Sequence, residues 1–159
     1  MDIRIGIGYD VHQLAPGHEL KLGGIVIPHT QGTVGHSDAD ALIHSIIDAM
    51  FGAAGLEDIG THFPDSDPQY KGIDSKSLLR LAHQKISDAG YEIVNLDSTI
   101  MLQEPRVKAH ISVMHKTLSS TLEISEKQIS IKATTTEKMG FIGEEKGVAA
   151  QAVILLKKL

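Results

Sequence analysis

The sequence contains no cysteine. That absence excludes a disulfide framework, thiolate metal ligands and a cysteine nucleophile, so a bound metal has to sit on His, Asp or Glu; it also fits a reducing, cytoplasmic setting. Long apolar runs are missing too: the stretch Ala149 to Leu156 is interrupted by Gln151 and is far shorter than the ~20 residues of a spanning helix. The opening residues MDIRIGIGYD carry charges at positions 2 and 4 with no apolar segment, which does not fit a secretory signal. Aromatic residues make up 4% and the formal charge is −5, so a basic surface with stacking rings for nucleic acid is not expected. An acidic chain can still hold phosphates, but with the help of bound cations. With 159 residues and no Pro-, Gly- or Ser-rich divider, one domain over 1–159 is expected, large enough to bury about two-thirds of its unfolded surface.

What is present is an interleaving of strand and helix patterns. Ile3, Ile5 and Ile7 alternate with polar or small residues and predict a strand running into Tyr9-Asp10-Val11-His12. Leu20 to Leu22 and Ile25 to Ile27 flank Gly23-Gly24, a hairpin signal closed by Pro28. Between Asp38 and Ala54, Ile43, Ile46, Ile47, Met50 and Ala54 recur at helical spacing, with Ser37 or Asp38 as cap and Gly55 as stop. Residues 55–73 mix glycine, proline and acids and read as a long loop of the kind that carries function. A second helix is expected over 75–89, capped by Asp74, followed by a strand from Ile93 to Leu102. Pro105 suits the first turn of a third helix with the stripe Val107, Ile111, Met114, Leu118 and Leu122. Strands at Ile129 to Ala133 and Val148 to Leu156 are joined by TTTEKMGFIGEEKG. The pattern predicts an α+β fold, a mixed sheet of at least four strands with three helices packed mainly on one face.

Three groups of residues can carry chemistry. In an extended segment Asp10 and His12 point to the same side, so they can share one ion. His44, on the helix beside the Ile43 row, is the best third ligand, and three such donors leave a tetrahedral zinc one open position. An Asp-x-His pair also occurs in ordinary solvated turns. The second group, His36-Ser37-Asp38-Ala39-Asp40, precedes a helix whose start can attract anions, although Ser and Asp cap helices in any case. The third, Thr134-Thr135-Thr136-Glu137-Lys138, offers hydroxyls, a carboxylate and a lysine to a diphosphate and a hard cation such as Mg²⁺. His18, His29, His83, His110 and His115 lack ligand-like neighbours and are assigned to surface or packing; His62, beside Phe63, stays open. The residues alone suit an enzyme acting on a phosphorylated small molecule, a metallohydrolase that activates water, or a non-catalytic metal- or ligand-binding module.

Taken together, Gly8-Tyr9-Asp10-Val11-His12, His36-Ser37-Asp38 through Asp40 to His44, Asp58-Ile59-Gly60 with Phe63-Pro64-Asp65, and Lys132-Ala133-Thr134-Thr135-Thr136-Glu137-Lys138 with Gly140-Phe141 closely resemble the 2-C-methyl-D-erythritol 2,4-cyclodiphosphate synthase family over essentially the full length. The resemblance implies an intramolecular phosphoryl transfer that turns a cytidylated diphosphate substrate into a cyclic diphosphate and CMP in the non-mevalonate isoprenoid pathway. It implies zinc on Asp10, His12 and His44, and Mg²⁺ or Mn²⁺ on Glu137. His36 and Thr135 match catalytic positions that stabilise the transition state. Asp10, His12, His36, Ser37, Asp58, Ile59, Gly60, Phe63, Pro64, Asp65, Ser66 and Asp67 match the surfaces that hold the erythritol and its phosphates. Leu102, Gln103, Glu104, Pro105, Arg106, Val107 and Lys108, with Ala133, Thr134, Thr135, Thr136, Glu137 and Phe141, match the cytidine and diphosphate side.

The family is a homotrimer with active sites between subunits, so the same assembly is implied here, with no nucleic-acid or membrane partner. Two positions depart from the family's pattern. Arg106 stands where a lysine is common, which keeps the charge and changes the donor geometry. Glu144 stands where other members carry an arginine linked to anionic isoprenoid ligands in the trimer cavity, and a carboxylate there repels a diphosphate.

Overall fold

The computed structural model describes residues 2–159. Its strands are β1 (Ile3–Pro16), β2 (Leu20–Leu22), β3 (Ile25–Ile27), β4 (Gln31–Val34), β5 (Tyr91–Met101), β6 (Ile129–Thr134) and β7 (Gly147–Lys158). Its helices are α1 (Ala41–Ala54), α2 (Ile59–His62), α3 (Ser75–Asp88), α4 (Ile111–Leu122) and α5 (Gly140–Gly143). Five strands form one mixed sheet in the order β4-β1-β7-β5-β6, and β2 and β3 pair as a separate hairpin. All sheet pairings are antiparallel except β5 with β6, whose parallel register from Leu96–Ile129 to Met101–Thr134 is made possible by the crossover through α4.

The two faces of the sheet differ. Along β1, Gly6, Gly8, Asp10, His12 and Leu14 face the helices, while Ile3, Ile5, Ile7, Tyr9 and Val11 are exposed on the other side. Gly6 and Gly8 lie directly beneath the backbone of Ala49 and Ser45, so α1 rests on β1 without intervening side chains. Leu42, Ile43, Ile46, Ile47, Met50 and Phe51 are fully buried between the sheet and the other helices, each stabilising the fold by roughly 1.5–3 kcal/mol. On β7, Ala150, Ala152, Ile154 and Leu156 complete the same core.

The helix starts move relative to the sequence expectation. Asp40, not Ser37 or Asp38, caps α1: its buried carboxylate accepts from Ile43 N at 3.0 Å and from Gly23 N and Gly24 N of the hairpin turn at 3.0 and 2.7 Å. One side chain thus ends the incoming loop and ties the β2–β3 turn to the helix. Pro105 lies outside the third long helix, which begins at Ile111 after a 3₁₀ turn, Lys108–His110. The residue before a proline is biased away from helical backbone, and Val107, at 3% exposure, anchors the segment in the core instead of on the helix stripe. The segment expected as loop contains α2 and a 3₁₀ turn, Pro68–Tyr70, capped by Asp58 and Asp67. Asp74 and Gly55 bound α3 and α1 as expected.

Candidate metal centre

The period of two in β1 and the first turn of α1 bring three donors together across 34 residues of chain. His12 Nε2 lies 2.8 Å from Asp10 Oδ2, His44 Nδ1 lies 3.2 Å from the same oxygen, and the two nitrogens are 3.1 Å apart. His12 Nδ1 donates to the Val34 carbonyl at 3.1 Å; since a carbonyl can only accept, Nε2 is left to face the cluster as a lone pair. The Nε2 of His44 faces the hydroxyls of Ser37 and Ser75 at 3.1 and 3.0 Å.

Lone pairs and a carboxylate crowded in this way repel one another unless a cation or a proton lies between them. Ligand distances of about 2.0–2.1 Å place the donors of a tetrahedral zinc roughly 3.4 Å apart, close to this spacing, and two imidazoles with one carboxylate are ordinary zinc donors. Asp10, His12 and His44 therefore fit a divalent ion. The electrostatics agree. Burial acts to raise the Asp10 carboxyl, but hydrogen bonds and charge from His12 and His44 outweigh it and hold the pKa at about 2. Burial opposes charge on His12, yet Asp10 draws a proton to the ring and raises its pKa.

The donors open into a cavity of about 290 Å³ that is also lined by Gly35, His36, Ser37, Ile59, Gly60, Phe63, Asp65, Tyr70 and Leu78. His36 Nδ1 is 3.8 Å from Asp65 Oδ1. Asp58 caps α2 by accepting from Thr61, and its N-terminal neighbourhood is fixed by Asp48, which accepts from Ile59 N at 2.8 Å. Pro64, Ser66 and Asp67 follow in the same loop but do not line the cavity. A second cavity, of about 600 Å³, is lined by Leu102, Pro105, Arg106, Val107, Lys108, Ile111, Lys132, Ala133, Thr134 and Thr135. No residue is shared between the two linings.

Of the remaining sequence candidates, Gln103 is buried and its Oε1 accepts from Lys138 N at 3.1 Å, whereas Glu104 and Thr136 line neither cavity. Glu137 is exposed at the turn after β6, with φ 53°, and its N–H donates to Thr135 Oγ1 at 3.3 Å. The Phe141 ring lies beside Gly147, opposite Gln13 in the β1–β7 register. His62 is structural: its ring packs 4.3 Å from that of Phe51 and its Nε2 donates to the Leu56 carbonyl at 2.6 Å. Asp48 and Ser75 escaped the sequence reading, and Asp38 entered it as a cap and anion-group candidate without its link to His44, because only long-range contacts place these residues around the site.

A mixed sheet covered on one face, with a triad able to hold a divalent ion where its first strand meets its first long helix, makes this an α+β protein with a candidate metal site. Comparison with known proteins narrows the class. The chain belongs to the YgbB family, whose model matches residues 3–157. It is 53% identical over 159 residues to the 2-C-methyl-D-erythritol 2,4-cyclodiphosphate synthase of Parabacteroides distasonis, covering 100% of this chain and 99% of that protein. Among solved structures it is similar to an IspF–CDP complex from Plasmodium falciparum, with a TM-score of 0.86, 39% identity, and 98% and 96% of the two chains covered. The bifunctional IspDF from Campylobacter jejuni aligns with a TM-score of 0.96 and 42% identity over 99% of this chain and 43% of that one.

Proposed function

We infer that the chain is an enzyme, a 2-C-methyl-D-erythritol 2,4-cyclodiphosphate synthase of the non-mevalonate pathway. It converts 4-diphosphocytidyl-2-C-methyl-D-erythritol 2-phosphate to the cyclic diphosphate and CMP. An oxygen of the 2-phosphate forms a bond to the β-phosphorus, and the bond from that phosphorus to the CMP oxygen breaks, with CMP leaving as the anion. The observation that carries this reading is the convergence of Asp10, His12 and His44 in a cavity that also holds His36, Ser37 and Gly60, in a chain of this family.

Such a reaction asks the protein mainly to position phosphates and offset their charge. Zinc on Asp10, His12 and His44, and Mg²⁺ or Mn²⁺ at Glu137, supply Lewis-acid neutralisation of phosphate oxygens when bound. His36 and Ser37 offer donors to the 2-phosphate and erythritol side, with Asp58, Ile59, Gly60, Phe63, Pro64, Asp65, Ser66 and Asp67 shaping that surface. Thr135 faces the developing charge on the diphosphate, aided by Thr134, Thr136 and Glu137. The cytidine occupies the larger cavity between Leu102–Lys108 and Ala133–Thr135, and Gln103, Glu104 and Phe141 complete the substrate-binding set.

The active protein is a homotrimer, with each site completed by the cytidine cavity of a neighbour. Its support is the separation of the two cavity linings within one chain and the exposed apolar row Ile3, Ile5, Ile7, Tyr9 and Val11 on the helix-free face of β1. The residues 1–159 act as one domain. Among the described residues no helix is long and apolar enough to cross a membrane, and a cytoplasmic setting suits the cysteine-free chain.

The test is direct. Incubation with the cytidylated substrate yields CMP and the cyclic diphosphate in equal amounts, and the parent carries one zinc per chain that His44→Ala loses together with turnover. A linear hydrolysis product in place of the ring would instead identify a metallohydrolase, and full activity without metal would identify the triad as structural.

A further inference from the structure

The ring of His44 is held from behind by side chains that no role above requires. Ser75 opens α3 and is fully buried. Its Oγ lies 3.0 Å from His44 Nε2 and donates to Asp38 Oδ1, while Asp38 Oδ2 accepts from the Ser75 N–H at 2.9 Å. The Asp38 side chain is itself only 6% exposed, and Lys21 Nζ stands 3.9 Å from it.

A serine hydroxyl has one proton and two lone pairs. With that proton committed to the Asp38 carboxylate, Ser75 Oγ presents only lone pairs to the imidazole. His44 then has to donate from Nε2, which leaves the lone pair on Nδ1, the atom facing Asp10 and His12. Ser37 Oγ, 3.1 Å from the same Nε2, adds a second acceptor for that single proton. His12 has its distal nitrogen fixed by a backbone carbonyl, whereas His44 relies on side chains alone.

We propose that Asp38 and Ser75 form a relay that fixes the tautomer and orientation of His44 for metal binding, making both of them positioning residues for the zinc site. Outer partners of this kind typically contribute 10–100-fold to metal affinity. The proposal rests on the assignment of Asp10, His12 and His44 as the ligands.

Zinc affinity of the full chain, measured by competition with a chromophoric chelator, tests it. Ser75→Ala keeps the backbone N–H that Asp38 accepts and removes only the relay hydroxyl; Asp38→Asn keeps an acceptor for that N–H and removes the carboxylate. Both variants are expected to bind zinc about 10–100-fold more weakly than the parent. In the zinc-loaded parent the His44 Nε2 proton should exchange slowly by NMR, and in Ser75→Ala it should be lost to exchange.

Parental zinc affinity in Ser75→Ala, with the Nε2 proton still protected, overturns the relay while leaving the metal site intact. Should Ser75→Ala fail to fold, Asp38→Asn decides: weakened binding supports the relay and parental binding overturns it. A parent chain that binds no zinc overturns the ligand assignment, and the relay falls with it.

Discussion

Gly8 lies so close beneath Ser45 that an ideal Cβ at position 8 would stand 1.9 Å from the Ser45 carbonyl oxygen. The same applies two residues earlier, where a Cβ on Gly6 would fall 2.0 Å from Ala49 O. Real Cβ contacts are never so short, so this strand and helix can meet only through hydrogen atoms. Asp10 and His12 continue the inward row of these glycines, and His44 directly precedes Ser45 on the helix, so the close approach also sets the spacing of the three donors.

Gly8→Ala is therefore expected to push α1 off β1, lowering stability by at least the ~1–3 kcal/mol of an overpacked core and weakening zinc binding with it. Gly52→Ala on the same helix is the counterpart: its Cβ would meet only Ile7 O at 3.9 Å, an ordinary contact. There the gain in helix propensity should stabilise the chain by roughly 0.5–1 kcal/mol. Thermal melts and zinc titrations of the two variants check both signs. Equal stability of Gly8→Ala and the parent would show that the helix can move freely.

Glu137→Gln tests the proposed magnesium site apart from the proposed zinc site. The side chain is exposed after β6 and lines neither cavity, well apart in sequence from the triad. Zinc content should stay at the parental level, while the Mg²⁺ concentration for half-maximal activity rises roughly tenfold, the effect of about 1.4 kcal/mol. An unchanged magnesium titration would remove Glu137 from its role.

The parts of this architecture that were legible in the sequence are those with a local signature. The alternation Ile3-Ile5-Ile7 records the strand period of β1, although these apolar side chains lie on its exposed face; the spacing Ile43-Ile46-Ile47-Met50 records the buried face of α1, and Gly23-Gly24 records a turn with positive φ at both residues, 64° and 78°. The triad was legible because a period of two aligns Asp10 with His12, and because His44 follows Ile43 on a helix. β4, with the sequence QGTV, has no such signature; its pairing with residues 13–16 of β1 creates it. The cap of α1 moved to Asp40 because Gly23 and Gly24, 17 and 16 residues away, supply two of its three hydrogen bonds. Ser75 and Asp38 are 37 residues apart, and nothing near either marks the partner.

Asp48 gives a pH test. Burial raises its carboxyl above the usual value of 3.8; the Ile59 N–H works against this, and Asp58 and Asp10 add like charge. A raised folded-state value means that the folded chain holds this proton more tightly than the unfolded one. The group's contribution is then most favourable below 3.8 and declines as pH rises through the raised folded value. Asp48→Asn, which keeps an acceptor for Ile59 N–H, should thus gain stability relative to the parent as pH rises from below 4 towards neutrality. Parallel denaturant titrations across that range measure the difference, and two parallel curves would sink the idea. Asp48→Ala, which also abandons the N–H, should lose about 1–3 kcal/mol and raise KM more than it lowers kcat, since Ile59 and Gly60 line the metal cavity.

The helix-free face of the sheet decides whether the chain works alone. Ile5 and Ile7 are 72% and 63% exposed in the middle of a paired strand, with Tyr9 at 53% in the same row. A contiguous apolar row in a well-paired strand gains nothing from folding of the single chain, and in the homotrimer proposed above a neighbouring subunit covers it. Ile7→Glu places a charge in that contact without touching the inward side of β1. On the proposed assembly we expect it to dissociate the trimer by light scattering, to retain one zinc per chain, and to lose turnover by at least about tenfold, a loss of roughly 1.4 kcal/mol in transition-state stabilisation, because the proposed cytidine cavity of a neighbour is then no longer beside the metal site. A monomeric variant with full activity would place both cavities of one chain in a single working site. A variant that remains trimeric would move the interface elsewhere.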